Sequence, residues 1–65
     1  MPQRLAKRLK ALRRRRGMTQ AVLAHRARLS LGYVARLELS LHDPSLTTLR
    51  KLARALEVTV ADLTG

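Results

Sequence analysis

Residues 18–38 read MTQAVLAHRARLSLGYVARLE, and this stretch holds two short helical patterns in quick succession. Thr19 suits an N-cap, because its hydroxyl can accept a hydrogen bond from an unpaired amide of the first turn. Val22, Leu23 and Ala27 then supply an apolar stripe. Ser30 is the next N-cap, and Val34 and Leu37 follow at i and i+3, giving a helix over about residues 31–38. The two caps stand only eleven residues apart. The helices must therefore meet at a tight turn near Ala27 to Leu29, and such a break can aim the second helix away from the body of the chain.

The flanking segments are helical too. Leu5, Leu9 and Leu12 recur at i, i+4 and i+7, with Lys7, Lys10 and Arg14 elsewhere on the wheel, predicting a helix over about residues 3–16. Gly17 suits the left-handed turn that ends it. Downstream, LELSLHDPS (residues 37–45) contains a period-2 alternation of Leu37, Leu39 and Leu41 that would suggest a strand. With no second strand to pair with, it reads as a loop. Ser45 caps a further helix whose face runs through Leu46, Leu49, Leu52, Ala53 and Leu56. Thr59 caps a last short helix containing Val60 and Leu63. With no repeat, low-complexity segment or linker, residues 1–65 read as one compact all-α domain of five helices. Its contacts are local, which favours fast folding.

A chain of 65 residues buries only about 60% of the surface its unfolded form exposes, and its core is expected to supply no more than about 3–5 kcal/mol. It has no cysteine to staple it, so help from self-association is expected on energetic grounds. Fourteen Lys and Arg stand against four Asp and Glu, a net charge of +10. Ten of the basic residues and no acid fall in residues 1–28, whereas residues 29–65 are balanced. Such one-sidedness points to a polyanion, against the blander reading of a solvated helix face. No apolar run approaches the ~18 residues that span a bilayer. The Arg-rich, acid-free start is reminiscent of a transit peptide, but its apolar spacing continues into the helical domain. No secretory signal is visible, and the expected location is the bacterial cytoplasm, associated with the nucleoid.

A helix with its side chains is about 10–12 Å across and fits the DNA major groove, which is about 12 Å wide. If one helix of a close pair lies in that groove, the preceding helix can cross the phosphate backbone with its N-terminal amides and dipole facing a phosphate. Gln20 stands where its amide would reach that phosphate, and Ala24 is small enough for close approach of the second helix. Leu31, Gly32 and Tyr33 form the first turn of the second helix, with Arg36 one turn later.

At these residues the chain resembles the Cro/repressor type of helix-turn-helix domain, the Xre family. The resemblance runs through Leu12, Arg13, Arg16, Gly17, Thr19 and Gln20, then Leu23 and Ala24, then SLGYVARLE from Ser30 to Glu38 and PSLTTLRKLARALEV from Pro44 to Val58. No single piece is specific, but the ordered set is. It implies a lambda-repressor-like fold with the helix-turn-helix at helices 2 and 3. It also implies a phosphate contact and an orienting role for Gln20, base-edge contacts for Leu31, Gly32 and Arg36, and a phosphate or thymine-methyl contact for Tyr33. Finally, it implies a partly buried ion pair between Arg13 and Glu38.

This chain departs from the family where Arg28 and Ser40 replace glycines common after helices 2 and 3, which would strain any backbone of positive φ. Leu39, Leu41, His42 and Asp43 replace polar or basic loop residues, which weakens loop contacts to phosphate. Only Arg36 carries a fork for guanine O6 and N7, worth about 1–3 kcal/mol of discrimination. Affinity is therefore expected to rest on phosphate contacts from Arg14, Arg15, Arg16, Thr19, Gln20, Arg26 and Arg28. Some of the arginine run 13–16 would merely solvate the helix end.

Enzymatic readings fail early. His25 and His42 are the only histidines, no nucleophile, base and acid are spaced to form a site, and metal binding would need more donors. No cofactor is expected. The expected function is sequence-specific binding of double-stranded DNA as a transcriptional regulator. Two copies would place their recognition helices about 34 Å apart on a palindromic operator. The expected homodimer patch is Val60 and Leu63, joined by Leu39 or Leu41. A competing reading is a protein-interaction module, such as an antitoxin or phage regulator, that binds a partner protein through the apolar loop 39–41. An RNA-binding role is disfavoured by the single tyrosine, because such modules stack bases on aromatics.

Overall fold

The computed structural model describes residues 2–65, with side chains from Arg4 onward. The described residues form α1 (Pro2–Arg15), α2 (Gln20–Ala27), α3 (Leu31–Glu38), α4 (Leu46–Leu56) and α5 (Val60–Thr64), with no strand among them. The alternating leucines 37, 39 and 41 leave α3 and enter an irregular loop, because nothing pairs with them. Thr19, Ser30, Ser45 and Thr59 each cap the helix that follows, accepting a hydrogen bond from Val22, Tyr33, Thr48 and Asp62 amides respectively. At α5 the cap is reciprocal: Asp62 Oδ2 accepts from the Thr59 amide at 2.9 Å.

The first four helices end in one way. A residue of positive φ follows the helix, its amide and the next amide folding back onto the last turn. The residues are Gly17 (φ 69°), Arg28 (58°), Ser40 (61°) and Glu57 (58°). The next amides, those of Met18, Leu29, Leu41 and Val58, reach the carbonyls of Arg13, Ala24, Arg36 and Ala53 at 2.8–3.0 Å. This is the Schellman closure, in which an apolar side chain just past the turn commonly packs back on the helix. Met18 is buried, and Leu29 and Val58 pack against the core, but Leu41 stays 63% exposed.

α2 packs on α3 and α4, α1 packs on α3 and α5, and α4 packs on α5. The fully buried side chains are Leu9, Leu23, Val34, Leu37, Leu52, Leu56 and Leu63, so every helix contributes. Each fully buried leucine contributes about 1.5–3 kcal/mol. Ala24 and Ala27 are buried between the packed helices and let the backbones approach. The burial of Leu63 overturns its expected role in a dimer patch, because its side chain is consumed by this chain's own core. Val60 is likewise packed against that core. No described helix is long and apolar enough to cross a membrane.

Candidate nucleic-acid interface

Only Arg28, Leu29 and Ser30 separate α2 from α3. Arg28 makes the reversal in the left-handed conformation (φ 58°, ψ 44°), and Ser30 at once starts the next helix, its hydroxyl accepting from the Tyr33 amide at 3.0 Å. Val34 and Leu37 anchor α3 in the core, while Leu31, Gly32 and Arg36 lie on the opposite, exposed side. Leu31 is 52% exposed, a large apolar side chain held in water at the start of a helix. Arg36 folds back over the first turn, so that a Cβ on Gly32 would sit 3.3 Å from its Nη1. Tyr33 is half-buried, and its ring stands 5.5 Å from that of His42 at a 41° tilt. The loop thus returns to the first turn of α3, a contact for which the sequence carries no local signal.

The orientation of α3 is fixed from behind by Glu38. Arg13 Nε donates to Glu38 Oε2 at 2.6 Å and Nη2 donates to Oε1 at 3.0 Å, while Nη1 donates to the Met18 carbonyl at 2.8 Å. Gln20 Nε2 adds a bond to Glu38 Oε1 at 3.1 Å. One carboxylate therefore ties α1, α2 and α3 together. Burial pushes the Glu38 carboxyl up, but the hydrogen bonds from Arg13 and Gln20 and the Arg13 charge outweigh it, holding the group below the usual carboxylate range. The bond to Glu38 raises Arg13 in turn, against the opposing effect of burial. The amide of Gln20 is thereby half-engaged within the protein, leaving its carbonyl and one N–H for an external partner.

The remaining cations divide by helix geometry, since successive residues on a helix point about 100° apart. Arg13 points inward. Arg14 is exposed with no hydrogen-bond or ion-pair partner among the described residues. Arg15 and Arg16 line a hollow with Arg8, Val58 and Asp62, on the side facing α5. Arg16 is committed there: it donates to Glu57 Oε1 at 3.3 Å and to the Glu57 carbonyl at 3.2 Å. The arginine run is thus no single cluster. Arg26 and Arg28 line a different hollow, with Lys51 and Arg54 of α4. Thr19, at the exposed start of α2, accepts from the Val22 amide through its hydroxyl oxygen, which leaves the O–H to donate.

Two cations not expected at the site border it. Lys7 lines a hollow with Glu38, Leu39 and Ser40, and the charge of Lys10 acts on Glu38. Their row with Arg14, at i, i+3 and i+7, is the one signal that pointed to them. Among the described residues no cluster of three His, Cys, Asp or Glu could hold a metal.

The chain is similar to proteins of known kind. The chain is 41% identical over 61 residues to the immunity repressor protein of Bacillus phage phi105, covering 94% of this chain and 42% of that protein. It is 40% identical over 60 residues to the HTH-type transcriptional regulator DdrOP3 of Deinococcus deserti, covering 92% and 46%. It spans less than half the length of either. Among solved structures, the restriction-modification controller protein C.AhdI from Aeromonas hydrophila superposes with a TM-score of 0.93 at 32% identity, over 95% of this chain and 94% of that one. The clp gene regulator ClgR from C. glutamicum does so with a TM-score of 0.90 at 32% identity, over 97% and 82%. The helix-turn-helix family model matches residues 9–63, the span that contains both caps, the Arg28 turn and the Glu38 tie, and the chain belongs to that family, as a DNA-binding domain of the Xre, or Cro/repressor, type.

Proposed function

We propose that residues 1–65 act as one DNA-binding unit of a transcriptional regulator, with α3 in the major groove of double-stranded DNA and α2 crossing the backbone. The observation that carries this reading is the two-faced α3: Val34 and Leu37 are fixed in the core while Leu31, Gly32 and Arg36 stand open to solvent. Arg36 reads guanine through its fork, and Leu31 and Tyr33 meet thymine methyls or sugar. Gln20, Thr19 and Arg14 bind phosphate near the start of α2, joined by Lys7 and Lys10. The protein acts in the cytoplasm, on the nucleoid, as a binding protein and not as an enzyme. Selection of bound duplexes from a random pool tests the reading. A recovered consensus that loses one position in Arg36→Ala, while Gln20→Ala weakens all sequences alike, supports it. Recovery of no consensus would sink base reading by α3.

The unit works as a homodimer, joined through Leu39 and Leu41 in place of the buried Leu63. These two leucines are 67% and 63% exposed, and Leu41 lacks the core contact its counterparts make. A mass independent of concentration would refute this. The same exposed pair favours a second reading, docking of a partner protein. Capture from lysate that survives nuclease treatment and is lost in Leu39→Ser/Leu41→Ser would separate it from DNA-mediated capture.

A further inference from the structure

Arg26 in the last turn of α2, Arg28 in the turn beyond it, and Lys51 and Arg54 on α4 line one open hollow, with Ala27 between them. None of the four cationic heads has a hydrogen-bond or ion-pair partner among the described residues. Every acid of the chain is placed elsewhere. Glu38 is held by Arg13 and Gln20, Glu57 by Arg16, and Asp62 caps α5. Asp43 lines a separate hollow with Leu5, Pro44, Leu49 and Thr64. Four like charges gathered without a counter-charge repel one another, and the arrangement is stabilised by an anion that spans them.

The placement of the hollow distinguishes it from the α3 surface. α2 packs on both α3 and α4, and the hollow is lined by α2, the turn beyond it and α4, with no residue of α3. The exposed α3 residues Leu31, Gly32 and Arg36 take no part in its lining. Duplex DNA carries about one negative charge per 1.7 Å of axis, whereas an extended acidic peptide carries at most about one per 3.4 Å. Three of the four cations are arginines, whose planar fork suits phosphate oxygens. We propose that the hollow is a second phosphate-backbone site that grips a second double helix while α3 holds the first. The nature of this ligand rests on the DNA reading above. One chain then bridges two DNA segments.

The test uses the whole chain. A duplex of about two helical turns is immobilised on beads and saturated with protein, and a second, fluorescent duplex is added. Wild type retains the second duplex. Lys51→Gln/Arg54→Gln retains it at least about tenfold less well, and the log–log salt slope of that second binding falls by about 1.8. Its binding to the first duplex matches that of Arg4→Gln/Arg50→Gln, which removes equal charge away from the hollow and keeps the bridging. Failure of wild type to retain a second duplex, or equal retention by both double variants, overturns the proposal and leaves the DNA reading standing. Failure to bind the first duplex overturns both. Displacement of the second duplex by polyglutamate more readily than by free DNA would assign the hollow to an acidic protein and overturn the proposal.

Discussion

Arg13 and Glu38, 25 residues apart in the chain, meet in a two-bond ion pair whose side chains are only 10% and 3% exposed. It adds a polar tie between the cationic helix α1 and the C-terminal end of α3, which also pack together. Breaking a buried pair from one side leaves an uncompensated charge, at a cost of about 3–5 kcal/mol. Arg13→Met is therefore expected to remove most of the stability of a domain this small, seen as a shift of the urea midpoint toward zero. Arg13→Met/Glu38→Leu should recover much of it, since an apolar pair of similar volume often replaces a buried ion pair without loss. A double variant no more stable than Arg13→Met alone would show that the pair is not the reason.

The same pair sets the acid limit of the fold. The folded Glu38 carboxyl lies below its usual range because its hydrogen bonds outweigh its burial. A group with a lowered folded pKa contributes stability above its unfolded value, about 4.3 for Glu, and that contribution is lost as pH falls through the folded value. Asp62 acts in the same direction, lowered by its backbone and side-chain bonds to Thr59. Thermal midpoints of the wild type should fall as pH drops below about 4.3. In Arg13→Met the sign should reverse, because a desolvated carboxyl that has lost its cation prefers its proton. The variant should gain stability as pH is lowered from 7 toward 5. Parallel pH profiles for the two proteins would contradict this account.

Arg28, Ser40 and Glu57 occupy left-handed backbone positions after their helices, where Gly17 alone fits without strain. A left-handed non-glycine residue costs about 1–2 kcal/mol, against about 0.5–1 kcal/mol of extra chain entropy for glycine. Arg28→Gly should thus stabilise the domain by about 0.5–1 kcal/mol, raising the melting temperature by about 2–8 °C. A lowered melting temperature would mean that the Arg28 side chain contributes more than its backbone loses.

These turns also mark what the sequence made legible. Thr19, Ser30, Ser45 and Thr59 announced each helix start, because a hydroxyl before an apolar stripe has a local mechanism. Arg28 and Ser40 stood out as departures from a glycine pattern, but Glu57 did not, since nothing local marks its positive φ. Apolar Met18, Leu29 and Val58, each just past a turn, were the better signal for where helices end. The exposed side of α3 followed from the 3.6-residue period of Val34 and Leu37. The partition of the arginines did not, because it depends on where α4 and α5 dock. Arg16 meets Glu57 across 41 residues, and Leu63 is buried only because α5 folds back over α1 and α4. Short helices with few apolar residues leave such long-range docking undetermined by local pattern.

Gly32 and Arg36 lie one turn apart on the exposed side of α3, and the absent Cβ of Gly32 leaves the Arg36 guanidinium its resting place. At 3.3 Å the contact is tight but falls on the flexible end of a long side chain, so an alanine there displaces the arginine and not the backbone. Alanine in place of a helical glycine stabilises by about 0.5–1 kcal/mol. Gly32→Ala should therefore melt at a higher temperature and yet read DNA differently, with altered preference at the base position that Arg36→Ala also relaxes. Arg14→Ala, by contrast, should weaken binding to all sequences and reduce the salt slope by about 0.9. If Gly32→Ala gains stability but leaves base preference untouched, Arg36 reaches its base from a different rotamer, and the folded-back position seen over Gly32 belongs to the free protein alone.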